Sequence, residues 1–411
     1  MRVLLVSTSS GAWQAGTDCY NGSGWVSSVQ RLLENDPGVE LAMAFPTGEA
    51  GLFSEVRGST RYFPMFCQER SSLEKLTYYY GGYKKQQDNQ IVPQLLKAIE
   101  SYDPDIVQIF GTESEIPELI TQTDIPCVIH LQGFLGEYHK AFFPPGIDER
   151  TLRREFINVR ENIFRNGIRF NYREMEVRAK REEEYMRRCR FFMGRTDWDK
   201  SIVRSFNPSA TYFHVDEVLR PRFYEAAKWK PRGGHLSIVS TISDTFYKGF
   251  GLILQTASIL RDMNDDFTWT VVGVNPSDPT VRFFEKHYGI LHHTVNVECV
   301  GVLPPERIIP LLQDASVYVH PSYIDNSPNS LCEAQYLGVP SIATEVGGVP
   351  TLMASQPWNM VPPGDAQALA ARIMRITPQD NQMADALARH DKEKIKDELM
   401  SAYESILKSA Q

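Results

Sequence analysis

Short β-branched runs alternate with longer stretches of helical periodicity along nearly the whole of this 411-residue chain. That alternation is the mark of βαβ units built around mostly parallel sheets. Strands are expected at Arg2 to Ser7, Val39 to Phe45, Asp105 to Phe110, Cys127 to Gln132, Phe191 to Gly194 and Thr211 to His214. A second set is expected at Leu236 to Thr241, Thr268 to Gly273, Val295 to Val300, Ser316 to His320 and Ser341 to Thr344. A Pro- and Arg-rich stretch, Leu219 to Gly234, separates the two sets. One sheet with so many strands would be exceptional, so the economical reading is an α/β protein of two doubly wound domains. The boundaries read from the pattern are an amino-terminal domain over 1–218, a linker over 219–234, a carboxyl-terminal domain over 235–395 and a terminal helix over 396–411.

The alternation breaks once, from Asp148 to Arg190, which reads as a charged helical insertion in the first domain. It holds 13 Lys and Arg against 9 Asp and Glu, locally +4 in a chain whose net charge is −8. One reading is a solvated helix with i,i+4 ion pairs. The other is a surface for anionic lipid, with Phe156, Ile157, Ile163, Phe164 and Phe170 as apolar anchors. The acidic balance of the whole argues against a nucleic-acid partner. The amino terminus lacks the apolar core of a signal peptide, and no run approaches the roughly 20 apolar residues of a membrane span. Six cysteines, Cys19, Cys67, Cys127, Cys189, Cys299 and Cys332, show no CxxC spacing, which fits a reducing cytoplasm and neither a disulfide framework nor a zinc site.

The segment richest in chemistry runs from His320 to Ala334, out of an expected buried strand, through a turn and into a helix. Ser327 is a suitable N-cap, and Pro328 suits the first helical position. The free amides of Asn329, Ser330 and Leu331 would then point out of the helix start, where the dipole favours a phosphate. Glu333, one turn in, can accept both hydrogen bonds of a vicinal diol such as a ribose. Such a site is expected at the carboxyl edge of a parallel sheet.

These residues resemble glycosyltransferase family 4, also called glycosyl transferases group 1, which are retaining enzymes of the GT-B fold. The resemblance lies in Asp325, seven residues, Glu333-Ala334, then Gly338-Val339-Pro340 and Gly347-Gly348. It continues through Val300-Gly301-Val302-Leu303-Pro304, Gln313 to Val319 and Pro362-Pro363-Gly364-Asp365. It implies two Rossmann-like domains facing a cleft, with the nucleotide in the second domain. The family usually has Glu followed by Gly-Phe-Gly at the first acidic position. Here Asp325 is followed by Asn326-Ser327-Pro328, one methylene shorter toward the donor sugar. The family also places an Arg and a Lys on the donor diphosphate. Lys248-Gly249 is present, whereas the Arg position falls within Ser240 to Ser243 and carries no guanidinium.

Arg195, at the end of an expected strand, could supply that missing charge. The neighbouring Asp197-Trp198-Asp199 superficially spells a metal-binding Asp-x-Asp, but Thr196 and Asp199 read better as a capping box. In the amino half, Asn21-Gly22-Ser23-Gly24 resembles the family's glycine loop beside the donor, with Gly22 and Gly24 as the contacts. A dinucleotide fingerprint fails there, since its third position is Ser27 and the loop comes well after the strand. His130, ending its strand, resembles the family's histidine facing the donor sugar.

The resemblance thus implies a metal-independent transferase without cofactor. Asp325, His130 and Lys248 would act at the reacting centre. Gly22, Gly24, Lys248, Val302, Asn329, Ser330, Leu331 and Glu333 would hold a nucleotide diphosphate sugar, by family default a UDP-sugar. The acceptor would be a glycan or lipid-linked hydroxyl, the setting polysaccharide biosynthesis, and the location cytoplasmic, with peripheral contact at the inner membrane face. A nucleotide-sugar epimerase, a phosphorylase or a non-catalytic nucleotide-sugar-binding subunit would use the same fold.

Overall fold

All eleven expected runs form strands, and three unforeseen ones join them. The structure is a computed structural model that describes residues 1–13, 24–68, 90–156, 167–231, 233–263 and 266–410. They fall into two units: Met1–Gly136, Arg173–Arg220 and His390–Gln411 make the first, and Glu137–Tyr172 with Pro221–Arg389 make the second.

In the first unit, β1 (Arg2–Val6), β2 (Glu40–Thr47), β3 (Glu55–Arg57), β4 (Thr60–Phe66), β5 (Ile106–Phe110), β6 (Cys127–His130), β7 (Phe191–Gly194) and β8 (Thr211–His214) form one sheet. Its order is β3-β4-β2-β1-β5-β6-β7-β8, parallel except for β3 against β4. The strand order reverses between β1 and β5, where Val3 pairs with Ile106 on one side and Leu41 on the other. Continuous apolar runs such as Val3 to Val6 are wholly buried, as expected of parallel strands covered on both faces. Pro64 hid β4 from the sequence reading. It is tolerated because β3 covers only Thr60 to Tyr62, so the edge at Pro64 needs no donor.

The second unit has β9 (Leu236–Thr241), β10 (Phe267–Val272), β11 (Val297–Cys299), β12 (Val317–His320), β13 (Ser341–Thr344) and β14 (Met360–Val361). They form a fully parallel sheet ordered β11-β10-β9-β12-β13-β14. Here the reversal lies between β9 and β12. A buried chain of hydrogen bonds ties the central strands: Trp269 Nε1 donates to Ser240 Oγ at 3.0 Å, and Ser240 Oγ donates to the Val319 carbonyl at 2.7 Å.

The units are not the two continuous segments read from the sequence. Residues 137–172 group with the second unit because Ile147 and Leu152 enter its core and Phe156 packs edge-on against Phe283 at 5.8 Å. His287 Nδ1 lies 2.6 Å from Glu155 Oε2 and fastens the same helix, Glu149–Glu155. The charged stretch is therefore two described helices, Glu149–Glu155 and Ile168–Arg188, and not one insertion in the first domain. Helix Lys392–Ala410 groups with the first unit, burying Ile395, Leu399, Ala402, Tyr403 and Ile406 along one face.

Candidate functional site

The loops leaving β9 and β12 flank the strand-order reversal of the second unit, the place where doubly wound sheets bind ligands. After β9 the chain makes a short turn, Phe246–Lys248, ended by Gly249 at φ 85°. A Cβ at 249 would run into the Pro321 carbonyl, so glycine lets the two loops touch. Lys248 Nζ then donates to Asp325 Oδ2 at 2.6 Å. His320, the last residue of β12, brings Nε2 to 3.2 Å from the same oxygen. The Asn326 amide donates to Asp325 Oδ1 at 3.2 Å, and the Gly348 amide donates to the Asp325 carbonyl at 3.0 Å. Gly347, at φ 49°, makes room for that carbonyl.

Burial opposes the charge on Asp325, but the Lys248 ammonium and the contact from His320 outweigh it and hold the carboxyl well below the carboxylate range. Burial opposes the Lys248 charge too, and Asp325 overcomes it and pushes the ammonium up. Both groups are therefore ionised at neutral pH. Because the Asp325 value is depressed on folding, the stability it lends is complete above the unfolded value of about 3.9 and is lost only as pH falls through the folded one.

Helix Asn329–Leu337 follows. Its cap is Pro328, with ψ 114° and no side-chain cap bond, so the expectation of Ser327 as N-cap is off by one residue. Proline's fixed φ suits both positions, which is why sequence alone could not separate them. The shift has a consequence: the Leu331 amide already donates to the Pro328 carbonyl at 3.0 Å. Among the described residues the amides of Asn329 and Ser330 make no such bond, so the expected phosphate contact narrows to those two without Leu331. Glu333 lies buried on the same helix. Val302 stands 54% exposed after the edge strand β11.

The first unit places its named residues differently. His130 ends β6 at 1% exposure, with Phe110 stacked on it at 5.7 Å and Trp25 edge-on at 4.8 Å. Burial, with the nearby Arg195 charge, pushes its pKa well down, so the ring is neutral. Arg195, read as a possible phosphate contact, is 4% exposed and engaged within its own unit. Its guanidinium pairs with buried Glu217, donates to the Leu131 carbonyl at 3.2 Å and lies over the Trp25 ring at 4.7 Å. Thr196 and Asp199 form the expected capping box on helix Asp197–Phe206. Gly24 begins helix Gly24–Glu34, whereas Gly22 lies outside the described residues.

Of the proposed lipid anchors, Phe170 is buried and Phe156 packs on the second core; Ile157, Ile163 and Phe164 lie outside the described residues. Many cations of the charged stretch are paired, as in Arg169 with Glu149 at 2.5 Å and Arg181 with Glu115 at 2.7 Å. No helix among the described residues is long and apolar enough to cross a membrane. The sequence assigned no role to His320 or Gln108, although each carries a usable signal, a polar residue within or ending an otherwise apolar strand run.

Two doubly wound α/β units in one chain define the GT-B class of fold, and solved structures agree. Sucrose-phosphate synthase from Thermosynechococcus elongatus superposes with a TM-score of 0.71 over 99% of both chains at 14% identity, a likeness of fold. Residues 234–378 match the family model of glycosyl transferases group 1, so the second unit carries a domain of that family. Among curated relatives, WcaL of Salmonella typhimurium, named for colanic acid biosynthesis, is 27% identical over 173 residues, 40% of this chain and 42% of the relative. The amylovoran biosynthesis glycosyltransferase AmsK of Erwinia amylovora is 30% identical over 150 residues, 34% and 36% of the two chains. The matched region thus spans about two fifths of these relatives' length.

Proposed function

We propose that this protein is a glycosyltransferase that moves a sugar from a nucleoside diphosphate sugar, by default a UDP-sugar, to a hydroxyl of a glycan or lipid-linked acceptor in polysaccharide biosynthesis. The observation that carries the reading is the Lys248–Asp325 pair at the strand-order reversal of a group 1 glycosyl transferase domain. Lys248 is 23% exposed and held by one carboxylate, so an arriving diphosphate can draw it away. With the Asn329 and Ser330 amides it would stabilise the charge that grows as the nucleoside diphosphate leaves. Because these groups can do that electrostatically, transfer proceeds without a metal ion. Glu333 would accept the ribose hydroxyls. Asp325, released from Lys248, and His130 would orient the sugar.

Transfer is with retention. The bond from the anomeric carbon to the phosphate oxygen breaks, the acceptor oxygen bonds to that carbon on the same face, and the acceptor proton passes to the departing phosphate. The lipid side of the acceptor class is where exposed Arg153 and Arg154 would act, beside an anionic membrane surface. The test begins with a thermal-shift screen against UDP-, GDP- and ADP-sugars, since a bound donor raises Tm. It continues with nucleoside diphosphate release in EDTA and the anomeric configuration of the product by NMR. A protein that no sugar nucleotide stabilises is not this enzyme. An inverted product would overturn retention, and loss of activity in EDTA restored by Mn²⁺ would overturn metal independence.

A further inference from the structure

Beneath His130 runs a buried line of three side chains drawn from distant parts of the first unit. Gln108 sits on β5, two residues before Phe110, which pairs directly with His130 on β6, so Gln108 and His130 are diagonal neighbours on one face. Gln108 Nε2 lies 3.0 Å from His130 Nδ1. On the other side, the hydroxyl of Tyr403, from helix Lys392–Ala410, donates to Gln108 Oε1. None of the three is more than 1% exposed. His130 Nε2 has no hydrogen-bond partner among the described residues.

The amide of Gln108 could in principle face either way, and the tyrosine decides. With Oε1 toward Tyr403, the phenol proton has its acceptor, Nε2 of the amide donates to Nδ1, and the imidazole proton must sit on Nε2. With the amide reversed, Nδ1 would carry the proton and donate to Oε1. The phenol proton would then have no acceptor, since Gln108 is the one hydrogen-bond partner of the Tyr403 hydroxyl among the described residues. The first arrangement leaves one of these buried groups unpaired, the imidazole Nε2–H, and the reversed one leaves two, the phenol proton and the bare Nε2, so the first wins.

We propose that Tyr403 and Gln108 are positioning residues that fix the tautomer of His130, so that Nε2–H is the group the ring presents as a donor to a ligand oxygen. That the oxygen is a hydroxyl of the donor sugar rests on the transferase reading; the tautomer does not. The neutral state of the ring agrees with this, because a single proton makes the choice of nitrogen matter.

The test uses the whole chain labelled with ¹⁵N-histidine, whose ring shifts separate protonated from bare nitrogen. His130→Gln identifies the signals. The unmodified protein should show Nε2–H at neutral pH. Tyr403→Phe keeps the ring and removes the donor; it should yield a tautomer mixture and lower kcat by about tenfold, the worth of one hydrogen bond, with KM for the sugar nucleotide nearly unchanged. Gln108→Glu, which can only accept, should draw the proton to Nδ1. A folded Tyr403→Phe protein with the original tautomer and kcat overturns the relay, as does Nδ1–H in the unmodified protein. If the tautomers respond as expected while the unmodified protein turns over no sugar nucleotide, the relay stands and the transferase reading falls.

Discussion

Each unit sets a cation against a buried carboxylate beyond a strand of its sheet, and the two pairs differ in how fully the cation is engaged. Arg195 and Glu217 in the first unit are 4% and 1% exposed, and the guanidinium also meets a carbonyl and an indole face. Lys248 and Asp325 in the second are 23% and 8% exposed, and among the described residues the ammonium has one ion-pair partner. Arg195 is thus spent on the fold. On the proposed function Lys248 is held in reserve, since a point charge on a flexible stem can leave one anion for a stronger one. The contrast teaches that a cation at a strand end becomes a site by what it leaves unengaged.

The sharpest way to break this contrast is Arg195→Met. It keeps bulk but strands the Glu217 charge, and should cost about 3–5 kcal/mol of folding stability by urea denaturation. A loss below about 1 kcal/mol would mean that Arg195 is as dispensable to the fold as a surface charge. Next, Lys248→Ala should lower kcat by roughly 100- to 1,000-fold, about 2.7–4 kcal/mol, with a smaller rise in KM. The fold should suffer less than with Arg195→Met, because Asp325 keeps the Asn326 amide and His320. Unchanged kcat with raised KM would recast Lys248 as a simple binding charge. Glu333→Gln should weaken binding of the cognate nucleoside diphosphate by about 1.5–3 kcal/mol in calorimetry, the value of a charged hydrogen bond. Equal affinity would remove Glu333 from the site.

The smallest effect concerns cations of neither kind, Arg153 and Arg154, exposed on helix Glu149–Glu155. With Phe156 turned to the core, any attraction to acidic vesicles is electrostatic, at most about 1 kcal/mol for each residue. Sedimentation should therefore fade as salt rises and the screening length shortens to about 8 Å. Binding that persists at high salt would show an apolar anchor.

The strands were legible because apolar runs buried on both faces announce themselves locally. The strand β4 was not, because whether Pro64 is tolerated depends on how far β3 extends beside it. In the second unit, Lys248 and Asp325 stood out in sequence through their loops, and the fold brings them within one hydrogen bond. Arg195 misled because its position at a strand end is local, while its partner Glu217 is fixed only by tertiary packing. The grouping of 137–172 was hidden for the same reason, since Leu152 and Phe156 find their partners more than a hundred residues away.

The return of helix Lys392–Ala410 to the first unit sets an order of events in the making of the protein. Tyr403 is 295 residues from Gln108. At a synthesis rate of about 5–20 residues per second, β5 waits roughly 15–60 s for the helix that completes its surroundings. Through that interval the apolar positions that Ile395, Leu399, Tyr403 and Ile406 will fill have no occupant from this helix. The first unit, although begun first, is therefore finished after the second has been translated.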